Sequence, residues 1–257
     1  MVSAERYPEV CPHQVRITAL RMEWQDLTML HWRYDPVEVQ ELLPDGLTVE
    51  TFDGSAWVGL VPFQMMVDIP LMPTWKRVLH FPETNVRTYV TSKSGEPGVY
   101  FWSLEASSLP VVVAARGSFQ VPYFHADMSI ERMDSAGQPI ERSPLSGDRI
   151  VYASARRWPG PVPATTRVEV TVGEALAPGQ QGPLERFLTA RWGLYGGLWK
   201  WRSYARMHHE PWPLHFATVD SCNDELVVAA GLTEPDSPPL VHYSPGVRVR
   251  SGRPRVV

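Results

Sequence analysis

The chain has 257 residues, 44% hydrophobic and 20% charged, with a formal net charge of -4. This composition fits a globular protein and argues against disorder, and the acidic balance offers no broad basic surface for nucleic acid. The 25 prolines, about twice the ordinary share of ~5%, exclude a coiled coil, a helical bundle or a repeat array, because proline removes a backbone donor and breaks helical turns.

At ~150 residues per domain the length allows one unit or two, and barrels and sandwiches reach this size as one. There is no internal repeat and no low-complexity linker. Pro159–Ala164 is too short to mark a boundary, so residues 1–257 read as a single domain. Cys11 and Cys222 read as reduced thiols of a cytoplasmic protein. Met1–His13 lacks the apolar segment of a secretory leader, and no apolar run approaches the ~20 residues of a membrane helix. No membrane contact is expected. Arg248, Arg250, Arg253 and Arg255 read as a solvated tail.

In chain order, the first apolar segment is Val15–Trp24. Asp35-Pro36-Val37-Glu38 then signals a helix start: a capping Asp, Pro at the first helical position and a Glu three residues past the cap. This helix is expected to run to about Leu43 and to stop before Pro44-Asp45-Gly46. Strands are predicted at Leu47–Phe52, Ala56–Met66 and Asn85–Thr91. A hairpin loop over Lys93–Gly98 leads to strands at Val99–Glu105, Val111–Phe119, Ala126–Met133, Arg149–Ala155 and Arg167–Val172. A second helix starts at Pro183, with Leu184, Phe187, Leu188 and Trp192 on one face, and ends near Gly193. Leu214–Asp220, Leu226–Ala230 and Leu240–Tyr243 complete the strands. The aromatic run Trp192, Tyr195, Trp199, Trp201 and Tyr204 is interleaved with Arg and Gly, so it reads as a barrel cap, not a membrane patch. Many short strands with turns between them give a mainly β (α+β) class: a closed β-barrel or sandwich with a few short helices.

The stretch Phe81–Val90 carries the most chemistry. As a strand it puts Glu83, Asn85, Arg87 and Tyr89 on one face and Val86, Thr88 and Val90 on the other. Polar-in, apolar-out alternation suits a barrel whose lumen holds a ligand; the exposed face of an ordinary half-buried strand has the same pattern. Glu83 and Arg87 stand two strand repeats apart, where they can pair or fix a substrate acid. Arg116, in a strongly apolar segment, needs a partner or a cavity; Glu83 and a bound carboxylate are the two choices. His208, His209, His215 and Cys222 match no zinc spacing. No dinucleotide fingerprint, phosphate loop or serine elbow is present. No metal or other cofactor is expected.

The segments His31–Pro36, Phe52–Leu60, Glu83–Val90, Pro97–Phe101, His209–Leu214 and His242–Val247, in this order along nearly the whole chain, resemble the YqjF-like family of uncharacterised bacterial proteins. That family is grouped with the acetoacetate-decarboxylase-like superfamily, so the resemblance implies a closed β-barrel-like fold around an apolar cavity; it carries no settled activity. In the decarboxylases a Schiff-base lysine follows a proline six residues beyond an arginine, and a second lysine next to it lowers its pKa. Here Arg116 and Pro122 keep that spacing, but Tyr123 and Phe124 follow in place of the lysines. Glu83 is similar in place to the decarboxylase's upstream glutamate. The resemblance thus implies a retained pocket without its nucleophile, and not a true acetoacetate decarboxylase.

The chain has only Lys76, Lys93 and Lys200. The first two fall in predicted loops. Lys200, between Trp199 and Trp201, is the one stand-in whose pKa an apolar setting could depress, although lysine stems commonly lie over aromatic rings. What remains is acid/base chemistry. Glu83, Arg116 and Tyr123 are the candidate catalytic residues: Glu83 as an acid or base of raised pKa, Tyr123 as a donor to a developing oxyanion. Asn85, Arg87, Tyr89, Trp102, His125 and His31 are candidate substrate-binding residues. For Tyr123 a structural phenol, and for His125 a satisfied strand-edge histidine, are the alternatives. Two functions are open: a lyase, isomerase or cyclase acting on a small hydrophobic carbonyl or carboxylate compound, or a non-catalytic protein holding such a compound. A homo-oligomer is left open.

Overall fold

The computed structural model describes residues 7–68, 78–118, 120–160, 163–177, 179–198 and 201–256. The first predicted helix forms as α1, Pro36–Glu41, with the Asp35 carboxylate accepting from the Val37 amide. It follows a long strand, β1 (Thr18–Tyr34), and precedes β2 (Leu47–Val49), β3 (Ala56–Asp68), β4 (Val78–Ser92) and β5 (Pro97–Ala106). After α2 (Leu109–Ser118) come β6 (Tyr123–Met133), β7 (Arg149–Trp158) and β8 (Thr165–Ala175). The rest is α3 (Pro183–Thr189), β9 (Gly193–Leu198), β10 (Trp201–His209), β11 (His215–Asp224), α4 (Leu226–Ala229), β12 (Leu240–Gly252) and β13 (Arg255–Val256).

The hydrogen-bonded order is β13-β10-β9-β5-β6-β7-β8-β11-β12-β1-β3-β4-β2, with β10–β12 and β5–β4 also paired. These extra pairings close the sheet twice. One ring runs through nine strands, β5-β6-β7-β8-β11-β12-β1-β3-β4, and back to β5. A second runs through seven, β5-β9-β10-β12-β1-β3-β4. β12 serves both by changing partner along its length: His242 and Tyr243 pair with β11, Val249–Ser251 with β10. β5 does the same, parallel to β9 at Val99 and Tyr100 and parallel to β6 at Leu104–Ala106. The nine-strand ring encloses a solid core that includes Leu30, Val86, Ile150, Tyr152, Val168 and Val170.

β1 spans both regions by means of one extra residue. Five steps on β1, Gln25 to Leu30, oppose four on β3, Gln64 to Leu60. Such a bulge shifts every later side chain to the other face. Asp26 sits there in the left-handed region at φ 48°. Its carboxylate accepts from Arg132 Nε at 2.7 Å and from the Tyr243 hydroxyl at 3.0 Å, and its carbonyl accepts from the Tyr152 hydroxyl at 2.7 Å. Those bonds over-determine a backbone conformation that costs on the order of 1–3 kcal/mol by itself. The result is that inward positions run Leu20, Met22, Trp24 and then Leu27, which puts Met29 and His31 on the same side.

Two predicted strands are helices. Val111–Phe119 was expected extended because of its valine run. Leu109–Ser118 is α2, and Phe119 lies outside the described residues. β-branched propensity is weak and yields to context: both edges of β5 are already taken by β4, β9 and β6, so the segment has no strand to join. The predicted strand Leu226–Ala230 is instead α4 over Leu226–Ala229, with the Asp224 carboxylate accepting from the Val227 amide at 3.0 Å in its first turn. The second predicted helix stops at Thr189, because Gly193 already pairs with Arg206 as β9 runs antiparallel to β10. No described helix is long and apolar enough to cross a membrane.

Candidate functional site

The seven-strand ring is hollow. Its cavity, about 220 Å³, is walled by apolar side chains such as Met22, Trp24, Phe63, Met65, Phe101 and Leu104. α2 closes one side with Val111, Ala114 and Ala115, residues three and four apart on one helix face. β4 supplies the acidic, amide and guanidinium groups. Phe81, Glu83, Asn85 and Arg87 are successive inward positions. The intervening side chains turn into the solid core; Val86 packs there and the Thr88 hydroxyl donates to the Trp57 carbonyl at 2.8 Å. The strand is therefore buried on both faces, and the polar alternation faces the cavity, not solvent.

Glu83 is 2% exposed. The Tyr123 hydroxyl donates to its Oε2 at 2.9 Å, and the Asn85 amide hydrogen-bonds to it as well. Burial outweighs both bonds and pushes the carboxyl pKa up to about 8. At neutral pH Glu83 is mostly a neutral acid. Burial, with Glu83 beside it, drives the Tyr123 phenol well above its ordinary value.

Arg87 is 7% exposed. Among the described residues no carboxylate lies within ion-pair distance of it. Its side chain hydrogen-bonds to Tyr89, and its buried Nε has no partner. The Oδ1 of Asn85, which is 4% exposed, is also buried without a partner. No described ion pair joins Glu83 to Arg87 or to Arg116.

Behind Arg87, His31 and Tyr89 form a buried pair: His31 Nε2 and the Tyr89 hydroxyl are 2.6 Å apart. The register explains it. His31 on β1 and Arg87 on β4 both stand opposite Gly59 of β3. A Cβ at Gly59 would lie 3.0 Å from His31 Nε2 and 3.4 Å from Arg87 Cγ, so glycine makes the room for both. Burial, and then the Arg87 and His242 charges, hold His31 well below the ordinary histidine range, so it is neutral. The Arg191 guanidinium, paired with Glu50, covers the Tyr89 ring at 4.7 Å. Neither His31 nor Tyr89 lines the cavity.

The structure thus brings Glu83, Asn85, Arg87 and Tyr123 together, with Tyr89 and His31 behind them. It does not bring the others there. Arg116 points away from the helix face that meets the cavity: it donates to the Tyr123 carbonyl at 2.7 Å and lies over Phe124 and Trp158 at 5.7 and 5.8 Å. It ties α2 to the start of β6. The Trp102 indole donates to the Leu42 carbonyl at 3.3 Å, outside the cavity. His125 is half-buried on β6, its backbone opposite Ala106 and Trp158. Lys93 is exposed in its turn; Lys76 and Lys200 lie outside the described residues.

Two buried pairs escaped the sequence reading, Arg191 with Glu50 and a second on β7. Arg156 is joined to Glu105, both buried, with the guanidinium 3.9 Å over the Phe124 ring. The signal was present: Ile150, Tyr152 and Ser154 are inward on β7, and the alternation carries on to Arg156, one residue past the predicted strand end.

Comparison with known proteins agrees with this architecture. The DUF2071 family, described as an uncharacterized conserved protein, matches residues 21–248. The uncharacterized protein YqjF of Bacillus subtilis (strain 168) is 33% identical over 229 residues, 89% of this chain and 88% of that protein. Among solved structures, an acetoacetate decarboxylase-like enzyme from Sphingomonas wittichii RW1 superposes with a TM-score of 0.63 at 17% identity, over 96% of each chain. The enduracididine biosynthesis enzyme MppR complexed with pyruvate gives 0.59 at 12% identity, over 95% of this chain and 93% of that one. The fold is acetoacetate-decarboxylase-like.

Proposed function

The chain belongs to the DUF2071 family, and from that premise we propose that its cavity holds a small organic acid, the carboxylate against Arg87 and the apolar body along the walls. One observation carries this reading: Arg87 is a buried guanidinium facing an apolar cavity with no described carboxylate opposite it. A buried charge without a counter-charge is costly, and a ligand carboxylate removes that cost. That a neighbour of the same fold is complexed with pyruvate lends support.

Acid/base chemistry on the bound acid is the finer reading. Glu83, protonated at neutral pH, can deliver a proton to a carbonyl or leaving oxygen, and Tyr123 can donate to the same developing charge. Tyr123 and Phe124 occupy the positions where the decarboxylases carry lysines, so the reaction is a lyase, isomerase or cyclase step without an iminium. The protein would act in the cytoplasm, in keeping with the unpaired Cys11 and Cys222. The second reading, a non-catalytic carrier of the same acid, is favoured by how tightly Tyr123 already engages Glu83.

Calorimetric titration with hexanoate tests the common part. Arg87→Gln should weaken binding by about ten- to a hundredfold, the equivalent of about 1.5–3 kcal/mol for a charged hydrogen bond. Equal affinity in both proteins would refute the acid site. Once a substrate is found, Glu83→Gln separates the two functions: an unchanged turnover rules out the enzyme as described.

A further inference from the structure

We infer that the outer surface of the hollow ring carries a second site, independent of the cavity, that binds an organic phosphate: the phosphate among Arg16, Arg206, Arg253 and Arg255, the organic body beside Val15 and Ile17.

These four arginines line a groove of about 640 Å³, within the ~300–1,000 Å³ usual for small-molecule sites. The strands explain why they meet. β1 begins at Thr18, opposite Gly252 of β12, so Arg16 and Arg253 lie just beyond one end of the same pairing. Arg206 is an outward position of β10, between Ala205 and Met207, which line the cavity. Arg255, expected in a solvated tail, is instead in β13 beside Tyr204 of β10. Ser251 and Pro254 line the cavity while Gly252 and Arg253 line the groove. The two hollows therefore stand back to back across one wall and share no lining residue.

A single carboxylate serves the groove. Glu96 accepts from Arg206 at 3.5 Å and pairs with Arg255, whose guanidinium lies 5.0 Å over the Tyr204 ring. Glu96 orients two guanidiniums and offsets the charge of one. Among the described residues, Arg16 and Arg253 have no carboxylate within ion-pair distance. In a chain of net charge -4 this is a local excess of cations, half of it held in place and half unpaired. Guanidinium forks match phosphate oxygens in bidentate geometry, and a phosphate monoester brings ~-1.5 to -2 charges and three acceptor oxygens. Half-buried Val15 and exposed Ile17 add an apolar flank, which suits an ester over the inorganic ion.

Beyond the groove the same face is mixed in sign. Arg248 pairs with Glu23 at 3.3 Å, and Arg21 stands opposite Asp68 as well as Arg250. The cationic field is thus concentrated at the groove. That fits a compact ligand and not the long phosphate track of a nucleic acid.

The test is titration calorimetry on the full chain at low salt with phenyl phosphate, inorganic phosphate and phenol. Phenyl phosphate should bind at least about fivefold tighter than either. Arg16→Gln and Arg253→Gln, at exposed positions where substitution barely moves stability, should each weaken it by about five- to tenfold. Saturating hexanoate, and Arg87→Gln, should leave it unchanged, which reads the groove separately from the cavity. Phenyl phosphate binding that survives both groove substitutions, or that hexanoate competes away, overturns the inference. Inorganic phosphate of equal affinity also overturns it, leaving an adventitious ion only. A short DNA duplex that binds tighter than phenyl phosphate, and is lost with the same arginines, overturns it in favour of a polyanion contact.

Discussion

The two rings share β12, β1, β3, β4 and β5, yet one is filled and the other hollow. The difference lies in the strands they do not share. β7 and β8 send Ile150, Tyr152, Val168 and Val170 inward, large side chains that interdigitate to the density of a protein core. β9 and β10 send Gly196, Ser203 and Ala205 between Leu194 and Met207, and α2 adds Ala114 and Ala115 beside Val111. The small residues among these, set against large ones on the common wall, leave the space. Charge follows the same division. At the filled side Asp26 is matched by Arg132, and Arg156 by Glu105; in the hollow, Arg87 faces the cavity.

The largest test of this contrast is truncation. Ile150→Ala in the solid core should cost about 2–5 kcal/mol, transfer term plus a new cavity. Met65→Ala, whose side chain already borders a void, should fall at or below the bottom of that range. Urea denaturation measures both. Equal losses would mean that the hollow is as well packed as the core.

Next is the pH dependence that Glu83 imposes. Its folded pKa is raised to about 8 from an ordinary 4.5. Between those values the unfolded chain has released a proton that the folded chain keeps, so stability falls as pH rises through that window and levels off above it. The slope contributed approaches 1.4 kcal/mol per pH unit at most. Glu83→Gln should flatten the profile of unfolding free energy between pH 5 and pH 8; the same slope in both proteins would place the charge penalty elsewhere.

How much of this division the sequence discloses can be seen residue by residue. The alternation over Glu83–Arg87 marks the polar wall, since period-two patterning reports faces directly, but its continuation to Tyr89 lies behind the cavity. The cap at Asp35 located α1, because capping is local chemistry. The family likeness supplied the barrel and its cavity. Arg116 was legible as an arginine needing a partner, but its segment's helical state depends on β5 having no free edge, a tertiary fact. The bulge at Asp26 reverses the facing of His31 relative to Trp24, and no turn residue announces it. The two-ring closure rests on partner changes in the middle of β5 and β12, which local patterns do not encode.

Enlargement separates the regions by a smaller amount. Val170→Phe overpacks the solid core and should cost about 1–3 kcal/mol. Ala205→Leu extends into the cavity, so its stability should stay within about 0.5 kcal/mol of the parent, while hexanoate binding is lost. Melting curves and titrations of the two variants check the pair; a strongly destabilised Ala205→Leu would show that the cavity wall has no room to give.

The smallest effect expected is at Tyr89, which touches no ligand in this reading but bonds Arg87 from behind and is itself held by His31 at 2.6 Å. Tyr89→Phe keeps the ring under Arg191 and removes only the hydroxyl. Arg87 then loses a fixed partner, and one net hydrogen bond is worth about 0.5–1.5 kcal/mol. Hexanoate affinity should drop by roughly two- to tenfold, with hexan-1-ol binding unchanged because the apolar walls are untouched. That split distinguishes positioning from general loosening of the fold: a structural role alone would weaken the acid and the alcohol alike, and a variant that binds both as the parent does would show that Arg87 is held in place without Tyr89.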